Sequence, residues 1–125
     1  MCKTKKTRAF KTAWFDKKVS KIGITDKELC EAIDEMNNGL WDADLGGNVY
    51  KKRLNKNMHR SIVLSKTDTY WFFTYLFAKA DTDNIGKYEL ASFKKLASDM
   101  KRNTDETIQK QIENNDLVEI CNEES

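Results

Sequence analysis

The run YWFFTYLFA, from Tyr70 to Ala78, constrains this chain more than any other stretch. No charge interrupts it, and both alternating sets of side chains are largely apolar or aromatic. A run of that kind belongs in the centre of a sheet, with its aromatic content and length favouring strand over helix. Two further β-prone runs precede it, Val49–Leu54 and Arg60–Ser65. Their separators, NKNMH and KTDT, are short enough for antiparallel hairpins. Ala9–Lys11 reads as a short first strand.

Around these runs the period changes. Phe15, Val19 and Ile22 recur at helical spacing and stop at Gly23. Thr25 and Glu28 form a T-x-x-E capping box ahead of Leu29, Ala32, Ile33 and Met36, with Gly39 just past the end. Leu90, Phe93, Ala97 and Met100 predict a third helix. A fourth begins at Thr104 and carries Ile108 and Ile112 on one face. Leu117–Ile120 reads as a last extended segment. Proline is absent, so turns fall to Gly, Asn and Asp, as at Asp42–Gly47. The order β-α-α-β-β-β-α-α predicts a small α+β domain, an antiparallel sheet packed against helices. It spans residues 1–120 as one unit, with 121–125 a polar acidic tail.

The formal net charge of +2 gives no argument for a nucleic-acid partner, but its distribution does. Residues 1–66 carry 15 Lys+Arg against 8 Asp+Glu, whereas residues 67–125 carry 7 against 12. Such asymmetry suggests a basic working face and an acidic rear. The three cysteines, Cys2, Cys30 and Cys121, are widely spaced and there is a single histidine, so neither a disulfide framework nor a zinc site is expected. Cys30 reads as a small hydrophobe in a helix core. The basic N-terminal residues lack an apolar run behind them, and nothing approaches a bilayer-spanning length. A cytoplasmic protein is expected, without membrane association, metal or cofactor.

The basic charge concentrates in VYKKRLNKNMHRSIVLSK, Val49–Lys66, which contains no acid. Strand alternation puts Lys51 and Arg53 on one face with Val49, and Tyr50, Lys52 and Leu54 on the other. If Arg60 and Lys79 join Lys51 and Arg53, the four cations make a phosphate-binding surface, leaving the other sheet face to pack the helices. RNA cleavage fits such a surface. A ribose 2′-OH attacking its own 3′ phosphate builds negative charge on non-bridging oxygens, and fixed Arg and Lys stabilise it without a metal. His59 is the side chain whose ordinary pKa suits acid–base work near neutrality. The competing reading is a solvated charged hairpin whose lysines discourage edge pairing.

The segments that decide between these readings are FKTAWFDKKVSKIGITDKELCEAIDEMNNGLWDADLGGNVYKKRL, HRSIVL, YWFFTYLFAKAD and ELASFKKLA. Together they resemble the RelE/ParE superfamily of bacterial toxins, in particular the RelE/HigB-like branch, from about Phe10 to Ile120. The resemblance implies a small sheet wrapped by helices and a toxin silenced by a cognate antitoxin. RelE-like members enter the ribosomal A site and cut mRNA through the substrate's 2′-OH. The positions that match the family's basic residues are Lys51, Arg53, Arg60 and Lys79. His59 is the candidate general acid or base. Tyr50, Lys52, Lys56 and Lys66 are expected to make further RNA contacts, and the toxin to be monomeric within its antitoxin complex.

This chain departs from the pattern in three places. The loop before Arg60 is short, His59 stands where tyrosine is usual, and Ala80 replaces a polar residue common after the lysine. ParE-like members inhibit DNA gyrase instead, and a catalytically degenerate regulator is a further alternative. Trp14, Trp41 and Trp71 are expected to pack in core or interface rather than to stack bases. DTDNIGKYELAS begins like a calcium loop at Asp81 and Asp83 but carries Ser92 where the bidentate Glu belongs.

Overall fold

The computed structural model describes residues 7–67, 69–80 and 85–121. The acidic end at residues 122–125, Cys2, Asp81 and Asp83 therefore lie outside the described residues. The chain runs β1 (Arg8–Thr12), α1 (Ala13–Ile22), α2 (Asp26–Asn37), β2 (Ala43–Gly46), β3 (Val49–Leu54), β4 (His59–Lys66), β5 (Tyr70–Ala78), α3 (Lys87–Lys101), α4 (Asp105–Glu113) and β6 (Leu117–Ile120). One sheet holds the strands in the order β2-β3-β4-β5-β1-β6. The apolar run β5 is an inner strand, as its two-sided apolarity predicts. Its pairing with β1 is parallel and every other ladder is antiparallel.

The threonines mark the helix starts. Thr12, Thr25 and Thr104 each accept the N–H of the residue three positions on. The box at Thr25 is only half realised, however. Glu28 reaches away from the helix to accept the N–H of Asn55, which pins α2 to the β3–β4 turn. That turn takes Asn55, Lys56 and Asn57 successively at positive φ, a conformation asparagine tolerates better than most residues.

Helices cover both faces of the sheet, where one helical face was expected. On one side α1 and α2 enclose Phe15, Val19, Leu29, Ile33, Met36, Tyr50, Val63 and Phe73. On the other, α3 and α4 enclose Phe10, Val49, Ile62, Leu64, Phe72, Ala97 and Ile108. Lys11 ties the start of the first layer together, with Nζ 2.6 Å from Asp16 and 2.7 Å from Asp26. Burial alone would lower its pKa, but the hydrogen bonds to the two carboxylates outweigh this and raise it above the ordinary lysine value.

Two local expectations are corrected. Asp42–Gly47 is not merely a turn, because Ala43–Gly46 forms edge strand β2 against β3. Its two-glycine corner takes φ of +88° and +61°, and the Lys94 side chain of α3 lies over it so closely that a Cβ at Gly47 would meet Lys94 Cγ at 3.1 Å. The second correction is covalent. Cys30 of α2 and Cys121, just after β6, form a disulfide across a sequence separation of 91, with Cα atoms 5.5 Å apart. β6 docks beside β1 at the sheet edge and so carries Cys121 back to α2. Spacing along the chain holds no trace of that return, and the residue assigned to a tail is instead anchored.

Candidate functional site

The basic side chains converge because of a register shift in β5. Opposite Ile62 and Val63 of β4 stand Tyr75 and Phe73, which leaves Thr74 as an extra residue. The Thr74 hydroxyl donates to the Ile62 carbonyl at 2.9 Å and holds this β-bulge. Before the bulge, Phe73 faces α1 and α2. After it, Tyr75 and Phe77 turn to the opposite face, joining Ile62 and Arg60, their ladder partners. On β3, Lys51 pairs with Ile62 and Arg53 pairs with Arg60. Lys51, Arg53, Arg60, Tyr75 and Phe77 therefore share one face at the hairpin end of the sheet. α3 covers the same face further along, over Val49, Ile62 and Leu64. Lys51 and Arg60 are half-buried and Arg53 is exposed.

The two guanidiniums are held differently. Arg53 Nε donates to Asp42 Oδ1 at 2.8 Å, while Asp42 Oδ2 is buried with no hydrogen-bond partner among the described residues. Arg60 Nη1 donates to the carbonyls of Asn57 at 3.1 Å and His59 at 3.3 Å, so the hairpin turn orients it. His59 opens β4 on the other face. The Asn55 side-chain amide lies 3.1 Å from its Nδ1; with the amide nitrogen toward the ring, Nδ1 accepts and Nε2 carries the proton of the neutral ring. The ring lines a cleft with Lys18, Tyr75 and Phe77 at the end of β5. Lys79 is exposed just past β5, and its N–H still donates to the Met58 carbonyl at 2.9 Å. A face carrying two opposed arginines is suited to an anion with several oxygens, since guanidinium forks match phosphate geometry.

The chain matches the model of the family described as RelE toxin of RelE/RelB toxin–antitoxin system, over residues 7–120. It belongs to this RelE toxin family. No curated protein and no solved structure gives a significant match. Membership makes the chain a type II toxin–antitoxin toxin of the RelE/ParE superfamily, with a cognate antitoxin as partner. The four-helix, six-strand architecture is compatible with that fold. No helix among the described residues is long and apolar enough to cross a membrane.

Four residues of this RelE-family toxin expected to contact RNA stand apart from the arginine pair. Tyr50 is packed between Trp41 and Trp71, with ring centroids at 4.6 and 5.7 Å, on the α2 side. Lys52 is 6 % exposed and points the same way, donating to Glu35 Oε1 at 2.5 Å and the Leu40 carbonyl at 2.8 Å. Burying an ammonium requires such partners, and they fix it away from the arginines. Lys66 sits at the far end of β4, six positions from Arg60 and hence about 20 Å away, with Nζ 5.1 Å from the Tyr70 ring centroid. Lys56 is at the exposed tip of the hairpin turn.

Sequence reasoning also missed parts of the site. Asp42 lay in a stretch read as a turn. Tyr75 is placed by a bulge that leaves no mark in an uninterrupted apolar run. Trp71 and Trp41 pack as expected, and Trp71 donates its indole N–H to Asn37 at 2.9 Å. Trp14 is 46 % exposed at the start of α1 and belongs to neither core.

Proposed function

We propose that this RelE-family toxin is a ribosome-dependent mRNA endoribonuclease that cleaves by 2′-OH attack. The observation that carries the reading is the Arg53–Arg60 pair, two guanidinium side chains directly opposed at the hairpin end of the sheet. Asp42 offsets part of the Arg53 charge, and an anion lying between the two guanidiniums would offset the remaining repulsion. In the reaction the 2′ oxygen bonds to phosphorus and the bond to the 5′ oxygen breaks, leaving a 2′,3′-cyclic phosphate and a free 5′-OH. Arg53 and Arg60 hold the non-bridging oxygens as charge grows on them, with Lys51 beside them. His59, on the other face at the same end of the sheet, serves as general acid or base from the cleft it lines with Tyr75 and Phe77. Lys79 and Lys56 contact the RNA around the break, and the ribosome supplies most of the substrate positioning. The expected compartment is the cytoplasm, where ribosomes and mRNA meet.

Support comes from family membership and from the shared face of the basic residues. The test is a translating extract programmed with a defined mRNA. Wild-type protein should cut that mRNA only when ribosomes are present. Intact mRNA together with blocked DNA supercoiling would overturn the reading in favour of a gyrase inhibitor.

A further inference from the structure

β1 pairs with β5 only as far as Lys11 opposite Phe73, because the chain then turns into α1. Beyond Phe73, β5 has no strand neighbour on that side among the described residues, and α1 lies alongside the gap. Trp14, from the first turn of α1, leans into it and stacks on Tyr75, with centroids 5.2 Å apart and planes at 22°. Tyr75 is in turn 6.1 Å from Phe77, and Phe77 is the ladder partner of Arg60. A row of three aromatic rings therefore leads from the opposed arginines to the exposed indole.

The row is flanked by cations. Lys18 Nζ lies 5.6 Å from the Trp14 ring centroid, and a groove beside Trp14 is lined by Lys17, Lys18 and Lys21. The acid in that groove, Asp16, shares the Lys11 ammonium with Asp26, so its charge is only partly offset, but Lys17, Lys18 and Lys21 outnumber it. Trp14 contributes little to either core, since 46 % of it faces solvent. An exposed aromatic platform beside lysines and continuous with a phosphate-holding surface has the composition of a single-stranded nucleic-acid site. An acidic peptide would use the lysines but would leave the stacked rings without a flat partner.

We infer that Trp14, Tyr75 and Lys18 form a base-stacking subsite for single-stranded RNA, set beside the Arg53–Arg60 phosphate surface. A phosphate between the arginines then leaves a neighbouring base to stack on the exposed indole while Lys18 swings to its phosphate. The inference rests on the endoribonuclease reading for its ligand, but its test does not depend on cleavage.

The test measures binding of the full chain to two uncleavable 2′-O-methyl oligomers of equal length at fixed salt, one carrying bases and one abasic. Wild type should prefer the oligomer with bases. Trp14→Ala should lose roughly tenfold or more of that affinity and none of the affinity for the abasic oligomer, while Trp14→Phe keeps most of both. Indole emission should be quenched by the base-carrying oligomer in wild type but not in Trp14→Phe, a readout that stands even if Trp14→Ala does not fold. Equal binding of the two oligomers by wild type, an equal loss of both in Trp14→Ala, or displacement of the base-carrying oligomer by an acidic peptide at similar concentration would each overturn the subsite. If base preference holds while wild type leaves mRNA uncut on ribosomes, the endoribonuclease reading fails and the stacking subsite stands.

Discussion

Arg53 and Arg60 stand directly opposite each other across the β3–β4 ladder. Like charges in that position destabilise a sheet by a few tenths of a kcal/mol to about 1 kcal/mol. Replacing Arg60 with Gln removes that repulsion and also the bonds to the Asn57 and His59 carbonyls, so the thermal midpoint should stay close to that of wild type. Ribosome-dependent cleavage should fall by about 10²-fold or more, as expected when a donor to developing negative charge is removed. Cleavage near the wild-type rate in the folded variant would sink the site assignment.

The carboxylate beside Arg53 tempers the surface. Asp42 binds it at 2.8 Å and keeps its other oxygen buried without a partner. Asp42→Asn removes one negative charge next to the arginine. Binding of single-stranded RNA should tighten, because the Arg53 guanidinium no longer shares its charge with a carboxylate. Unchanged affinity at every salt concentration would show that Asp42 does not restrain Arg53.

Neighbouring lysines should separate cleanly. Lys51 shares the arginine face, whereas Lys52 is buried against Glu35 and Leu40. Lys52→Ala should lower stability by about 1–2 kcal/mol in urea titrations and leave the cleavage rate of folded protein alone. Lys51→Ala should lower the cleavage rate of the folded protein. If Lys52→Ala abolishes cleavage without loss of stability, the face assignment is wrong.

The disulfide between Cys30 and Cys121 closes most of the chain into one loop. By loop-closure entropy a bond over that separation stabilises by up to about 4–5 kcal/mol. Reduction, or Cys30→Ser, should shift the urea midpoint downward, and β6 should lose amide protection before β5 does. Identical urea midpoints with and without reductant would show that the bond contributes nothing to the fold.

Alkaline titration reads two anchors away from the site. The pKa of Lys11 is raised above 10.5 by Asp16 and Asp26 against the opposing effect of burial. The pKa of Tyr70 is raised above 10.0, chiefly by its hydrogen bond to Asp105 and also by burial. In both cases the folded state holds the proton more tightly than the unfolded chain. Their contributions are present in full below pH 10 and decline as pH rises through the raised values. Lys11→Met should flatten the stability decline that begins above pH 10.5. An unaltered alkaline profile in that variant would remove Lys11 as its source.

Much of the architecture was written locally. Thr25 and Thr104 cap the helices expected of them, Gly23 and Gly39 end theirs at positive φ, and YWFFTYLFA is an inner strand. Alternation placed Lys51 and Arg53 together because positions two apart in a strand share a face. The same rule failed on β5, since one extra residue at Thr74 inverts every side chain after it. Lys52 was counted with its basic neighbours because charge can be read from a sequence while the burial of its ammonium depends on α2 and the turn after it.

The sequence by itself determined every element but β2, together with the family and the cations of the hairpin, because helix caps, apolar periodicity and strand alternation are set by near neighbours. Tertiary structure alone decided three things. It joined Cys30 to Cys121, set Asp42 against Arg53, and brought Trp14 and Tyr75 into one row with Phe77 beside the arginines. Each of these depends on where a strand ends or slips relative to a distant partner. Those registers are fixed by packing on both faces of the sheet and by the bulge between them.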